Sequence, residues 1–278
     1  MQLSVVIITF NEEANIGRTL ASLKPFLYDM RGEPAGSEII VLDSGSNDRT
    51  VEIARSLGAT VYIEEWKGYA AQKNSAIEKA SGRWIFSLDA DEEVSPELSS
   101  DVSRAIAKQG LLRLEHPPDS PVFVNGFSMP RKNMFLGRWI KYGGFWPDRK
   151  MRLFRKGTGR FNIRPVHETA QVEGKTADLT APLLHHSYPT LSDYIDHMNR
   201  YSSLGAEMVA KGKVRFSFIN IILRPLFTFI YNYFLRLGFL DGREGLLLHL
   251  YHSVYVSWKY SKAWELSRKR QTSEAPGK

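Results

Sequence analysis

The densest chemistry in the sequence lies at Ser87-Leu88-Asp89-Ala90-Asp91-Glu92-Glu93, where acidic side chains follow an apolar run. In an extended segment Asp89 and Asp91 project to the same side, so both carboxylates can serve one hard cation, directly or through its waters. A divalent ion held by only one or two carboxylates keeps open positions for the oxygens of a diphosphate. A solvated acidic turn capping the next helix is the plainer alternative, and a lone D-x-D satisfies it equally well. Asp43 is the second candidate, because it ends another apolar run and its carboxylate can accept hydrogen bonds from a base or a ribose. Ser44 to Asp48 reads equally as a helix-capping turn with Asp48 in the cap.

Several competing chemistries are excluded. The chain has no cysteine, so thiolate nucleophiles, disulfides and Cys-based zinc or iron-sulfur sites are impossible. It contains no G-x-G-x-x-G, no G-x-x-x-x-G-K-[ST], no H-E-x-x-H and no G-x-S-x-G. A nucleotide site built from acidic residues and a metal is what remains.

Such residues need elements to position them. Leu3 to Ile8 is a continuous β-branched run, as in a strand buried on both faces, and helical spacing follows at Ile16, Leu20 and Leu23. The unit repeats: strand-like Glu38 to Asp43, then a helix carrying Val51, Ile53, Ala54 and Leu57. Thr60 to Ile63 reads as a short strand, Tyr69 to Ala80 as a helix ended by Ser81-Gly82, and Trp84 to Leu88 as the next buried strand. A turn then leads into a helix opening at Ser95-Pro96-Glu97. This alternation predicts a parallel sheet covered on both faces, with its ligand beyond the carboxyl ends of the strands. Asn11, Asp43, Asp89 and Asp91 share that crevice by topology. After about residue 110 the alternation breaks, with strands expected at Val122 to Met129 and Lys150 to Phe154 and a helix at Leu191 to Ala210.

The charge is zoned. Of 37 Lys/Arg and 30 Asp/Glu in 278 residues, 12 basic and 4 acidic fall in residues 211–278. Inside the nearly neutral body, residues 131–164 hold 11 basic residues and one acid, Asp148. Separate zones imply separate partners, so the net +7 does not indicate a nucleic-acid binder.

Taken in order, Ser4-Val5-Val6-Ile7-Ile8-Thr9-Phe10-Asn11-Glu12, Leu42-Asp43-Ser44-Gly45-Ser46-Asn47-Asp48-Arg49-Thr50, Gln72-Lys73-Asn74 and Leu88-Asp89-Ala90-Asp91-Glu92 closely resemble family 2 glycosyltransferases of the GT-A fold. With Trp146 to Arg155 and Val166-His167-Glu168, the set is similar to the lipopolysaccharide-core β-1,4-glucosyltransferase branch. The resemblance spans roughly residues 3 to 210. It implies an α/β, Rossmann-like sandwich in which Thr9, Asn11, Glu12, Asp43, Lys73 and Asp89 bind a nucleotide-sugar, a UDP-hexose with glucose as the sugar. Asp91 would be the direct ligand of Mg²⁺ or Mn²⁺, with Asp89 beside it and one of His185 and His186, His186 being the one named for the role, completing the site; a structural histidine is the alternative. That ion stabilises the charge growing on a departing nucleoside diphosphate.

The reaction also needs a base for the acceptor hydroxyl. Glu168 is the candidate, the alternative being a surface carboxylate paired with Arg164. His167 would orient Glu168 or contact phosphate, and Arg149 and Arg152 would bind phosphates on the acceptor or the leaving diphosphate. The acceptor expected is a lipid-linked saccharide. Transfer to a polyprenyl phosphate and a non-catalytic scaffold are the alternatives.

The domain expectation is a transferase domain over 1–210, its donor half about 1–110 and acceptor half about 111–210, followed by a helical appendage over 211–278. Phe216 to Leu240 is long enough to cross a bilayer, but Arg224, Arg236, Pro225, Asn220 and Asn232 argue against a simple span. Basic flanks with aromatic and Leu faces describe helices lying on an anionic membrane surface, the alternatives being a shallow re-entrant hairpin and an ordinary soluble helical subdomain. With no secretory signal at Leu3 to Phe10, the expected location is cytoplasmic, peripheral on the inner face of the bacterial cytoplasmic membrane.

Overall fold

A computed structural model describes residues 2–28, 31, 33, 36–116, 120, 122–162, 169–210, 214 and 216–274. They fall into two compact units, Met1–Lys132 with Asp148–His186, and Asn133–Pro147 with Ser187–Lys278.

In the first unit β1 (Leu3–Thr9), β2 (Ser37–Asp43), β3 (Thr60–Ile63) and β4 (Trp84–Asp89) form a parallel sheet in the order β3-β2-β1-β4. Helices α1 (Ile16–Ala21), α2 (Lys24–Leu27), α3 (Thr50–Ser56) and α4 (Tyr69–Lys79) connect these strands, as the alternation requires. The period of two along β1 sorts its side chains between two cores. Leu3, Val5 and Ile7 join Leu20, Leu23, Ala54 and Leu98, while Val6 joins Ala70, Ala76 and Ile77. A strand needing cover on both faces is apolar throughout, which is why these runs do not alternate. Each such Ile or Leu, fully buried, contributes roughly 1.5–3 kcal/mol.

Past β4 the sheet turns antiparallel. β8 (Asp148–Arg155) pairs with β4, β6 (Gly126–Phe135) pairs with β8, and β12 (Leu183–Tyr188) lies next along the sheet and pairs with β5 (Glu92–Val94). β11 (Thr176–Asp178) adds to β6, and β9 (Gly159–Phe161) and β10 (Ala170–Val172) form a separate ribbon. The strand expected at Val122 to Met129 is displaced to 126–135, because its pairing with β8 begins at Gly126 opposite Phe154. β5 replaces part of the expected turn after Asp89. It leads into α5 (Pro96–Glu115), where the Ser95 hydroxyl accepts from the Leu98 N–H and proline occupies the first turn.

The second unit contains β7 (Arg138–Trp139), α6 (Leu191–Val209), α7 (Arg224–Ile230) and α8 (Gly242–Glu274). Residues 133–147 and 187–210 group here with the tail. Thr190 and Asp193 form a reciprocal capping box that starts α6. Wide helical turns at Ile219–Leu223 and Tyr231–Leu235 flank α7. Pro225 has no N–H to offer the Ile221 carbonyl four residues back, and Ser257 of α8 donates to that carbonyl at 2.9 Å. Phe135, Ile140, Tyr194 and Leu248 form the main core of this unit. Among the described residues no helix is long and apolar enough to cross a membrane.

Candidate active site

Backbone register brings the candidate residues of the first unit to one rim. Thr9 lies opposite Asp43, and Ile8 opposite Asp89, so β1, β2 and β4 end together. Two loops leaving that rim are laced to each other. Asn11, at φ 55°, donates its N–H to Ser46 Oγ and accepts from Asn47 N–H. The Glu12 N–H reaches Thr50 Oγ1, and the Glu13 N–H reaches Asp48 Oδ2. Asparagine is among the few non-glycine residues that adopt a left-handed backbone, and here its side chain is held across the rim by the Asn47 N–H.

Asp43 pins the second of these loops. It is fully buried and accepts from Thr9 Oγ1 at 2.9 Å, Gly45 N–H at 2.9 Å, and Ser46 N–H and Oγ at 2.8 and 2.5 Å. Four donors fill the lone-pair positions of a carboxylate. A base or ribose reaching Asp43 would therefore have to displace one of them. Asp48 also accepts from the N–H and hydroxyl of Thr50, the first residue of α3, but the N-cap position of that helix is Arg49 and carries no side-chain cap.

Gln72, Lys73 and Asn74 are polar, yet all three are buried on α4. Gln72 Nε2 donates to Ser44 Oγ at 3.2 Å, and Asn74 exchanges two 2.9 Å hydrogen bonds with the backbone of Phe161. Lys73 Nζ lies 2.7 Å from Asp89 Oδ1 and sits over the Phe161 ring.

From Asp89 a buried ionic chain continues. Arg152 Nη2 donates to Asp89 Oδ2 and Glu92 Oε1, each at 2.5 Å. Arg131 bridges Glu92 at 3.2 Å and Asp148 at 2.7 Å. Glu92 Oε2 also accepts the Asp89 N–H at 3.0 Å. Lys73, Arg152 and Glu92 are 3, 4 and 0% exposed, so Glu92 is no part of a solvated acidic turn. Burial works to raise the Asp89 carboxyl, but Arg152 and Lys73 outweigh it and hold the group well below the usual carboxylate range. The three cations and the three carboxylates cancel. Because desolvation consumes most of the attraction in a buried ion pair, the network's product is a fixed Asp89 more than net stability.

Asp91 is different. Its Oδ2 lies 3.2 Å from His185 Nε2, an imidazole and not a permanent cation. Burial raises its carboxyl while His185 lowers it, with a net shift downward. Nearby Glu12 is pushed up, first by burial and then by the charges of Asp91, Asp48 and Asp89, which marks a surplus of negative potential on this side of the rim. His185 meets Asp91, while His186, expected at the cation, has its Nε2 2.8 Å from Glu93 Oε2.

Among the described residues no group of three or more His, Asp or Glu side chains is ready to enclose a cation. One carboxylate oxygen with one imidazole nitrogen nevertheless suits Mg²⁺ or Mn²⁺ where phosphate oxygens and water fill the remaining positions. The donor chemistry fits an ion shared with a ligand.

Of the two described phosphate-binding candidates, Arg149 faces solvent, its guanidinium 3.2 Å from the Leu179 carbonyl. Arg152 is turned inward, onto Asp89 and Glu92. Glu168 and His167 lie outside the described residues. The roles of Arg131 and Glu92 in fixing Asp89 were not evident from sequence, because their pairing runs between strands far apart in the chain. The one signal available was composition: Arg131 opens a segment with 11 basic residues and a single acid, so its charge needed partners elsewhere.

Residues 4–111 match the model of glycosyl transferase family 2. The chain is 28% identical over 272 residues to the lipopolysaccharide core biosynthesis glycosyltransferase LpsC of Rhizobium meliloti (strain 1021), covering 95% of this chain and 93% of that protein. An uncharacterized glycosyltransferase of Rickettsia typhi is 28% identical over 278 residues, covering 96% of this chain and 88% of its own length. Among solved structures, S. aureus TarS 1–349 superposes with a TM-score of 0.46 at 14% identity, covering 100% of this chain and 93% of that one, a likeness too distant to bear on the assignment.

Proposed function

We propose that the chain is a glycosyltransferase with a family 2 domain of GT-A architecture, supported by the match over residues 4–111 and by the similarity to the Rhizobium protein, and that it moves a hexose, with inversion, from a UDP-sugar to a lipid-linked saccharide of the lipopolysaccharide core. Glucose is the sugar of this reading. The observation that carries the donor side is the split between two neighbouring carboxylates: Asp89 is neutralised by direct pairing with Lys73 and Arg152, whereas the partner at 3.2 Å from Asp91 is the His185 imidazole, with Arg131 acting on it from further away. The acceptor class rests on the named function of the Rhizobium relative, which is similar along nearly its whole length.

In this reading Asp91 and His185 would hold Mg²⁺ or Mn²⁺, with His185 and not His186 as the imidazole. The ion, when bound, offsets the charge that develops on the leaving nucleoside diphosphate. Lys73 and Arg152 keep Asp89 ionised and immobile beside it. Thr9, Asn11, Glu12 and Asp43 order the two loops that would face the nucleoside. The acceptor oxygen attacks the anomeric carbon, the bond from that carbon to the diphosphate oxygen breaks, and Glu168 takes the hydroxyl proton. Arg149 and His167 would steady phosphates. An anionic inner-leaflet surface on the cytoplasmic side is the partner assigned to the basic tail.

Purified protein incubated with a panel of sugar nucleotides, with and without Mn²⁺, tests the reading through release of nucleoside diphosphate. Release from UDP-glucose that needs both the ion and a core-type saccharide supports it. Equal release in excess chelator would remove the metal from the scheme, and preference for a polyprenyl phosphate acceptor would replace the saccharide.

A further inference from the structure

The helical run from Phe218 to Leu240 in the second unit is amphipathic in the reverse sense. Its inward positions recur at helical spacing, Ile221, Pro225, Phe229 and Tyr233, and are buried or half-buried. Ser257 and Tyr260 of α8 hold this side, through the Ile221 carbonyl and the Arg224 guanidinium. The outward positions are apolar. Phe218 is 60% exposed, Ile222 48%, Leu226 53%, Phe227 63%, Ile230 41% and Phe234 51%. Continuous apolar surface on this scale marks a binding face.

We propose that this outward face docks in the plane of an anionic bilayer, with Phe218, Ile222, Leu226, Phe227, Ile230 and Phe234 among the acyl chains and Arg224 and Arg236 at headgroup level. Charge selects the occupant. Residues 211–278 carry 12 Lys/Arg against 4 Asp/Glu, and no acid occurs between residues 211 and 240. The first one, Asp241, is 2% exposed and already accepts the N–H groups of Lys141 and Tyr142. A second copy of the chain would set two such basic tails against each other, whereas acidic lipid neutralises them. The run lies flat instead of crossing, since one side is committed to α8 and no described helix is apolar enough to span.

This deepens the membrane partner of the reading above and rests on it only for the purpose of docking. The test is co-sedimentation of the full chain with phosphatidylcholine vesicles, with and without phosphatidylglycerol. Binding should rise roughly tenfold or more when the acidic lipid is included, and fall with salt. Phe218→Ser with Phe227→Ser should cut it roughly tenfold, with unchanged circular dichroism and unchanged nucleoside diphosphate release toward a soluble saccharide. Equal binding to neutral vesicles, or full binding by the double variant, would overturn the proposal. So would loss of self-association in that variant without vesicle binding in the parent, which would assign the face to a second copy. If vesicles bind and no sugar nucleotide turns over, docking stands and the enzymatic reading falls.

Discussion

Lys73, Arg152 and Glu92 of the first unit are all less than 5% exposed, while Phe218, Phe227 and Leu235 of the second stand 60, 63 and 67% exposed. One unit hides charge and the other displays hydrocarbon, each against the usual partition of side chains. Where charge is buried it is paired, and what the pairing produces is a carboxylate fixed at the strand ends. The second unit buries polar groups as well: Asp241, 2% exposed, accepts the backbone N–H groups of Lys141 and Tyr142. His249 is 1% exposed with no hydrogen-bond partner for either ring nitrogen, and the Tyr194 hydroxyl likewise has none. Burial is thus spent on orientation in the first unit and on packing in the second.

The largest effect expected from breaking this contrast is at Arg152. Arg152→Met leaves Glu92 and Asp89 short of a counter-charge, and removing one member of a buried ion pair costs about 3–5 kcal/mol. Urea unfolding should show that loss in the first unit. A loss below about 1 kcal/mol would mean that water or Arg131 compensates and that the network is looser than its distances imply. Asp91→Asn should do the reverse, leaving unfolding unchanged while nucleoside diphosphate release falls roughly 10²–10³-fold, the scale of losing one electrostatic contact to a transition state.

The two units should also respond to acid in different windows. Burial, with His252 adding to it, lowers His249 to about 4 from its usual 6.5. A folded value below the unfolded one means that the stabilisation is complete above about pH 6.5 and is lost as pH falls toward about 4, some 3 kcal/mol in all. Burial opposes, but Arg131 and Lys150 lower, the Asp148 carboxyl to about 2 from 3.8. Its contribution of about 2 kcal/mol is complete above about pH 4 and disappears as pH falls through about 2. Unfolding midpoints between pH 7 and pH 4 should therefore drop for the second unit before the first, and His249→Phe should flatten that slope. An unchanged slope would assign the acid response to other groups.

Much of this contrast was legible in the chain. The continuous β-branched runs at Leu3 to Ile8 and Glu38 to Asp43 require cover on both faces, and the helices between the strands require a parallel sheet, whereas the order β3-β2-β1-β4 comes from the structure. Asp43, Asp89 and Asp91 were legible as a rim because they end such runs. Glu92 was not, since its burial comes from Arg152 and Arg131, some 60 and 39 residues away. Periodicity reports which side of an element is apolar, and it is blind to a charge whose partner lies on another strand. The choice between His185 and His186 depended on where the two side chains reach across to the segment after Asp89, at Asp91 and at Glu93, which the sequence pattern does not report. The tail reversed the difficulty: its apolar positions were plain, and only packing on α8 revealed which of them face out.

The smallest expected effect is therefore the most discriminating for the second unit. Phe227→Ser removes a large aromatic side chain, and in the first unit an equivalent loss, such as Phe86→Ser at 0% exposure, would cost several kcal/mol, about 3–5 by analogy with truncation of a buried Phe. At Phe227, 63% exposed and stacked only against Tyr231, the change should fall within about 0.5 kcal/mol of zero. The reason is that the unfolded chain and the folded surface solvate this ring alike, so folding gains little from it. A destabilisation of about 2 kcal/mol or more, measured by urea unfolding without lipid, would show that the face is covered in the isolated protein. Its hydrocarbon would then belong to the fold, leaving nothing for a bilayer to take up.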